Sequence, residues 1–255
     1  MNSKQRQQQI LTIIDQKSKV SINELVELFS VNAITVRRDL ESLEGRGLLK
    51  RYHGGASSNR GRSYEPPFLV RSNVHKKEKE WIGQKAASFI KDGDSIAIDV
   101  GTTALEVARN IKGKTNLTII TTSLRVVNEV ISCPNIRIFI PGGIVNADEP
   151  SIRGELAVSV LENFFIDKFF LGVGGVDFSA GLSEYNFEDA QIKKTLIKNS
   201  KEIILTTDSS KFNRMAFAYV APLKIVNRIV TDDELDVNSR KKIRDLGIDL
   251  IISNP

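Results

Sequence analysis

Seven short runs rich in β-branched residues recur in the C-terminal two thirds of the chain, at SIAIDV (95–100), LTIITT (117–122), IRIFIP (136–141), KFFLGVG (168–174), EIILTT (202–207), NRIVTD (227–232) and IDLIIS (248–253). Amphipathic segments separate many of them, among them TTALEVARNI, LRVVNEVI, GELAVSVLENF and FEDAQIKKTLIKN. Runs that stay apolar along their length describe strands buried on both faces. Strands of that kind joined through helices form βαβ units, so the pattern predicts an α/β domain with a mainly parallel sheet covered by helices on both sides. The chain shows no low-complexity tract and no internal repeat.

A length of 255 residues leaves room for a smaller domain ahead of that sheet. Residues 4–17 read as a helix with Ile10, Leu11 and Ile14 on one stripe. A second helix opens at SINELVELFS, where Ser21 and Glu24 have the spacing of a capping box. A third runs from about Ala33 to Arg46, with Asn32 as N-cap and Gly47 as left-handed terminator. LLKRYHGG then reads as a short basic hairpin. The predicted domain, residues 1–57, is three helices and a β-wing; a polar linker over 58–76 contains Pro66 and Pro67, and the α/β domain occupies 77–255, opening on a helix near Lys77–Ile90.

Charge is divided unevenly between these parts. Residues 1–80 carry 15 Lys/Arg against 9 Asp/Glu, while the remainder carries 21 against 22, so the positive excess of the whole chain lies at the N-terminus. That asymmetry fits a nucleic-acid-binding module joined to a neutral one. On the third helix, Val36, Leu40 and Leu43 share the core face, and Thr35, Arg38 and Ser42 point away, with Arg37 on the flank. A helix-turn-helix places base and phosphate contacts at that position, where arginine grips guanine or phosphate. Lys50, Arg51 and His53 of the wing would meet neighbouring phosphates. Adjacent arginines also make an ordinary solvated face, with Asp39 and Glu41 at hand to pair with them. The helix spacing, the caps, the wing and the charge asymmetry together favour duplex DNA.

Arg6, Ile10 and Ile14 followed by ITVRRDLESLEGRGLLKRYHGGA resemble the winged helix-turn-helix of DeoR-family bacterial transcription regulators. In that family Ser commonly stands where this chain has Asn32, which caps a helix about as well. The resemblance implies DNA contacts at Asn32, Thr35, Arg37, Arg38, Ser42, Lys50, Arg51 and His53.

Within the larger domain, polar or glycine-bearing segments follow the expected strands: Asp99 with Gly101, Thr102 and Thr103; TTSL (121–124); PGG (141–143); and GVGG (172–175). Free amides at a helix start favour an anion, and open parallel sheets bind ligands at the carboxyl ends of their strands. The same threonines and glycines also serve as plain caps and turns. Asp208 and Lys211 in TTDSSKF are suited to a sugar hydroxyl and a phosphate, respectively. Neither a Walker A loop nor GxGxxG is present. The segments DGDSIAIDVGTT, IITTSLRVVN, PGGI, LGVGGVDFSAGLSEYN and DSSKF extend the DeoR resemblance over nearly the whole chain. It implies a fold similar to ribose-5-phosphate isomerase and a phosphorylated sugar as effector. Carried over, the contacts are Asp99, Gly101, Thr102, Thr103, Thr122, Ser123, Gly142, Gly143, Glu188, Lys193 and Lys211.

Those isomerases carry GADEVD where this chain has GVGGVD, so Gly174 and Gly175 replace acidic positions and only Asp177 remains. The isomerases' Lys-Gly-Gly-Gly run is replaced by SAGLSEYN, leaving Glu184 and Glu188 as the remaining candidate bases. The expectation is therefore a DNA-binding repressor of a carbohydrate operon, with no catalytic residue, cofactor or metal. An isomerase-like enzyme with an accessory helical domain is the alternative, and a regulator answering to a nucleotide or protein is a third reading. Two-fold operators call for at least a dimer. A single cysteine, no apolar run of about 18 residues and no signal-peptide pattern fit the cytoplasm.

Overall fold

The computed structural model describes residues 2–17, 19–58, 61–146 and 149–254. The chain divides into two compact units, Met1–Pro66 and Pro67–Pro255. The second part of the expected 58–76 linker therefore belongs to the larger unit, while Asn59 and Arg60 of that linker lie outside the described residues.

The small unit runs α1 (Ser3–Lys17), β1 (Lys19–Ser21), α2 (Ile22–Phe29), α3 (Ala33–Gly45), β2 (Lys50–Tyr52) and β3 (Gly55–Ser57). The wing is larger than the expected hairpin, because β1 pairs with β3 and gives the antiparallel order β1-β3-β2. Ser21 closes its capping box on both sides, accepting from the Glu24 amide at 3.2 Å while its own amide donates to Glu24 at 2.7 Å. Ser30, at φ 51°, ends α2, and Asn32 starts α3 by accepting from the Thr35 amide at 2.8 Å. At the far end of α3, Gly47 donates to Glu44 and Leu48 to Leu43, a Schellman closure. Ile10, Ile14, Leu25, Val36, Leu40, Leu43 and Leu49 form the core.

The larger unit begins with α4 (Phe68–Asn73), a helix inside the stretch expected to be linker, and α5 (Lys76–Ala87). Phe68 is buried in the core with Ile82 and Ile90, and this burial turns the segment into part of the domain. The chain continues through β4 (Ser95–Ile98), α6 (Thr102–Arg109), β5 (Leu117–Ile120), α7 (Leu124–Val130) and β6 (Ile136–Phe139). A hairpin of β7 (Ile144–Asn146) and β8 (Ser151–Arg153) precedes α8 (Glu155–Leu161) and β9 (Ile166–Leu171). Next come β10 (Gly175–Asp177), β11 (Gly181–Glu184), α9 (Phe187–Lys198), β12 (Ser200–Thr206) and β13 (Ala218–Ala221), then β14 (Arg228–Asp232), α10 (Val237–Asp245) and β15 (Asp249–Ser253).

All seven expected strands join one parallel sheet, ordered β15-β14-β12-β9-β4-β5-β6. Period-2 alternation splits it between two cores. Ile96, Ile98, Phe170 and Ile204 face α5, α6 and α7, whereas Ala97, Phe169, Leu171 and Leu205 face α8, α9 and α10. From β4 the chain winds first toward β6 and then returns to β9 on the other side, so strand order reverses between β4 and β9. Ligands of open α/β sheets sit outside the carboxyl ends of strands at such a switch point. Asp99 follows β4 and Gly172 follows β9, and both stand there.

Candidate nucleic-acid interface and anion pocket

In the small unit the core face of α3 is as expected, and its outer face is basic. Arg37, Arg38 and Ser42 are exposed, and Thr35 is half-buried with its hydroxyl on Asn32 Oδ1 at 2.9 Å. Asp39 does not pair with its neighbours. It is buried and accepts from Arg6 Nε at 2.5 Å, Ser3 Oγ at 2.8 Å and Gln7 Nε2 at 2.9 Å. These three donors hold its carboxyl below the usual range although burial pushes the other way. Arg37 and Arg38 have no acidic partner among the described residues, so their charge is open to an external anion. Arg51 differs: its guanidinium is held by Glu44 at 2.7 Å and Glu41 at 2.8 Å, which binds the wing to α3 and spends the charge internally. Lys50 and His53 are exposed.

In the larger unit the switch-point crevice is built from buried polar groups. Asp99 accepts from the amides of Val100 and Gly172, each at 2.8 Å, and from Lys193 Nζ. Lys193 also meets Glu184 Oε2 at 3.2 Å and the Gly172 carbonyl at 3.1 Å. Burial alone would strip its proton, but Asp99, Glu184 and Asp189 outweigh burial and push the ammonium above its usual range. An ammonium has three N–H donors. With 1% exposure, Lys193 donates to Asp99 and to the Gly172 carbonyl and forms an ion pair with Glu184, so it ties three strand ends together.

Gly101, at φ 105°, turns the chain into α6 without any side-chain cap, a conformation that favours glycine. Thr102 and Thr103 are buried directly behind it, so the open amides of the first turn and two hydroxyls share one place. Thr122 and Ser123 are buried just after β5, the strand paired with β4; Ser123 caps α7 through the Val126 amide at 3.3 Å, and Thr122 receives the Ile152 amide on its carbonyl at 2.8 Å. Lys211 is half-buried, donates to the Tyr185 hydroxyl at 3.2 Å and helps keep the buried Asp208 carboxyl below its usual range against burial.

Three other expected contacts are exposed. Gly142 and Gly143 are exposed at the foot of the β7–β8 hairpin, where a side chain at Gly143 (φ 148°) would collide with the Arg153 carbonyl. Backbone approach accounts for that glycine. Glu188 is exposed on the first turn of α9, while Asp189 next to it is buried and binds Arg153 at 2.7 Å.

Sequence reasoning missed an arginine cluster. Arg71 of α4 pairs with Glu149 and stands 3.7 Å from where a Cβ on Gly101 would be. Arg125, in the first turn of α7, lies 3.9 Å over the Phe68 ring and 3.9 Å from Glu149. Burial pushes the Glu149 carboxyl up despite both arginines. The available signal was Arg125 itself, a cation in a first helical turn where the dipole favours anions. Lys79 of α5 is likewise buried, donating to the carbonyls of Arg71 at 2.5 Å and Val74 at 2.7 Å, and burial depresses its ammonium to about 8. A groove of about 710 Å³ at the amino ends of the strands has a different character, its Lys168 and Arg228 being paired with Asp94, Glu202 and Asp249. Among the described residues no group of acidic, His and Cys side chains has the arrangement of a metal site, and no helix is long and apolar enough to cross a membrane.

Comparison with known proteins agrees in both units. Residues 6–62 match the DeoR-like helix-turn-helix domain, and residues 74–233 match the DeoR C terminal sensor domain. An uncharacterized HTH-type transcriptional regulator, YulB of Bacillus subtilis, is 38% identical over 94% of this chain and 93% of its own. The glycerol-3-phosphate regulon repressor of Escherichia coli is 34% identical over 98% of this chain and 99% of its own. The transcriptional repressor AccR of Agrobacterium fabrum is 33% identical over 91% and 90%. Among solved structures, the probable sor operon regulator of Shigella flexneri aligns over 63% of this chain and 86% of its own, at TM-score 0.45 and 13% identity. Ribose 5-phosphate isomerase A of Methanocaldococcus jannaschii aligns over 55% of each chain at TM-score 0.40 and 18% identity.

Proposed function

The chain belongs to the DeoR family of transcriptional regulators, and we propose that it represses a carbohydrate-utilisation operon until a phosphorylated sugar or polyol enters its larger domain and releases it from DNA. The observation that carries this reading is the switch-point crevice, where Arg71 approaches Gly101 at the uncapped start of α6, just ahead of the buried Thr102 and Thr103. Such a site suits an anionic group on a polyhydroxylated ligand. The small unit supplies the output: Arg37 and Arg38, which have no acidic partner among the described residues, extend from an N-capped helix, as a helix entering the major groove requires. The name of the Escherichia coli relative, which controls a glycerol-3-phosphate regulon, supports a small phosphorylated effector.

Regulation is favoured over isomerisation by the state of the remaining carboxylates. Asp177 closes the β10–β11 turn, accepting from the Ser179 amide, the Ser179 hydroxyl and the Ala180 amide at 2.9, 2.6 and 2.8 Å, and these bonds hold its carboxyl below the usual range. Glu184 is engaged by Lys193, and Glu188 faces outward. A general base needs a free carboxylate within reach of a substrate proton, and none of the three is arranged so. Duplex DNA as partner places the protein in the cytoplasm, and a two-fold operator requires a homo-oligomer, at least a dimer.

Binding of effector shifts the DNA equilibrium only by its difference in affinity between the two conformations. Thermal-shift screening against sugar phosphates, with the free sugars as controls, tests the ligand class: stabilisation by phosphorylated members alone is expected, and stabilisation by free sugars or by none overturns it. Chromatographic assay of the same mixtures should show no interconversion of aldose and ketose phosphates; sustained turnover would restore the enzyme reading.

A further inference from the structure

Among the described residues, five buried side-chain atoms lack a hydrogen-bond partner, and four of them fall in one cluster: Arg125 Nε, Glu149 Oε1, Ser151 Oγ and Arg153 Nε. Buried polar groups without partners are few in folded proteins, and each one costs stability. Four in one place point to something that completes them. The scaffold around them is well made. β8 carries Ser151 and Arg153 and is fastened to the end of β5 by the Ile152 amide on the Thr122 carbonyl at 2.8 Å, by the Leu124 amide on Pro150 at 2.9 Å, and by the Ser123–Ser151 bridge. Ser151 is fully buried.

Arg71 is paired with Glu149, whose other oxygen faces Arg125 Nε at 3.9 Å, beyond hydrogen-bond reach. Arg125 stacks on Phe68, which fixes its plane. Arg153 spends one nitrogen on Asp189 and keeps Nε unspent. A cluster serving stability alone would use these donors among its own carboxylates. Here the unspent groups are the Nε–H donors of Arg125 and Arg153, the Ser151 hydroxyl and one oxygen of Glu149, and with Glu149 moved aside the three donors match the oxygens of a tetrahedral oxyanion. Arg71 brings the cluster against Gly101, so it adjoins the start of α6.

We propose that Arg125, Arg153 and Ser151, with Arg71 beside them, grip the anionic group of the effector, and that Glu149 is an internal carboxylate that holds Arg71 and faces Arg125 until that group displaces it. The inference rests on the reading that the larger unit binds a phosphorylated ligand, and it names the residues that select for phosphate. It also gives the ligand a handle on the chain. Arg71 belongs to α4, the first element after the division at Pro66, and Lys79 fastens the end of the same helix through the Arg71 and Val74 carbonyls. Exchanging Glu149 for a ligand at Arg71 changes what holds the segment leading to the DNA-binding unit.

The test uses the full chain and inorganic phosphate as probe, by titration calorimetry at constant ionic strength, with a thermal melt confirming that each variant folds. Arg71→Gln and Arg125→Gln are each expected to weaken phosphate binding tenfold or more, and Glu149→Gln to tighten it severalfold because no carboxylate competes. Arg71→Lys keeps the charge without the planar fork and should fall between wild type and Arg71→Gln, and it carries the test if the latter does not fold. Folded Arg71→Gln and Arg125→Gln that bind phosphate as wild type does would overturn the proposal, as would weaker binding in Glu149→Gln. Loss of binding in Thr102→Glu but not in Arg71→Gln would defeat this assignment and leave the effector reading standing. A wild-type protein that binds neither phosphate nor any sugar phosphate would remove both.

Discussion

Replacing Arg37 and Arg38 together by Ala removes two exposed cations that have no internal partner among the described residues. Each phosphate neutralised on a duplex contributes a slope of about 0.9 to the fall of log affinity with log salt. If both arginines lie on phosphates, the variant's slope is shallower by about 1.8. Between about 50 and 200 mM salt, the wild-type affinity should then fall roughly 12-fold more than the variant's. At a fixed salt near the middle of that range, loss of two charge-assisted contacts should cost about 2–5 kcal/mol. If one arginine instead reads a guanine, the slope changes by only about 0.9 and discrimination against the substituted base falls. Fluorescence anisotropy on an operator fragment at several salt concentrations reads all three quantities. The paired control is Lys224→Ala with Lys241→Ala, two exposed cations of the larger unit. It removes the same net charge and should leave the slope within about 0.2 of wild type. Equal changes in the two double variants would refute the reasoning, because the effect would then belong to net charge and not to α3.

Three further outcomes follow from the buried charges. Asp39→Ala leaves the Arg6 guanidinium buried without its carboxylate and should destabilise the small unit by about 3–5 kcal/mol; hydrogen exchange of α1 and α3 amides some 10²–10⁴-fold faster would show it, and unchanged protection would contradict it. Lys193→Met leaves Asp99 and Glu184 as facing buried acids and should cost about 3–5 kcal/mol in denaturant unfolding, whereas a loss confined to ligand affinity would mark Lys193 as a contact. Lys79 has its ammonium depressed to about 8 from the ordinary 10.5, so the cost of burying its charge is present in full below pH 8 and is relieved as pH rises toward 10.5. Wild type should therefore gain about 2 kcal/mol over Lys79→Met between pH 7 and 9.5, and parallel stability curves for the two would reject the depressed value.

Much of the fold was readable in the sequence because the sheet strands are continuous apolar runs buried on both faces, and such runs stand out regardless of context. Strands β7, β8, β10, β11 and β13 are three or four residues long and form by pairing with one another, in the hairpin β7–β8 and the small sheet β10-β11-β13. Helix α4 was hidden by Pro66 and Pro67, which disfavour helix before them yet permit one to start after them. Helix α10 carries Ile243 as its buried apolar anchor, too little for a periodic signal. In the pocket, Asp99 and the Gly101–Thr103 turn were legible as a strand end followed by a helix start. Arg71 was not, because its partner Glu149 is 78 residues away and nothing local marks the pairing. Lys193 was named from family resemblance, and only its surroundings show that it is buried between Asp99, Glu184 and the Gly172 carbonyl.

The link between the two units is tested most directly by following operator binding while a sugar phosphate that stabilises the protein is titrated in, for wild type and for Thr102→Glu, which sets a carboxylate at the uncapped start of α6. The wild-type complex is expected to dissociate with the phosphorylated ligand and to persist with the free sugar, while Thr102→Glu binds the operator equally well and ignores the ligand. Dissociation of the Thr102→Glu complex at wild-type ligand concentrations, or a wild-type complex that no sugar phosphate disturbs, would contradict the account.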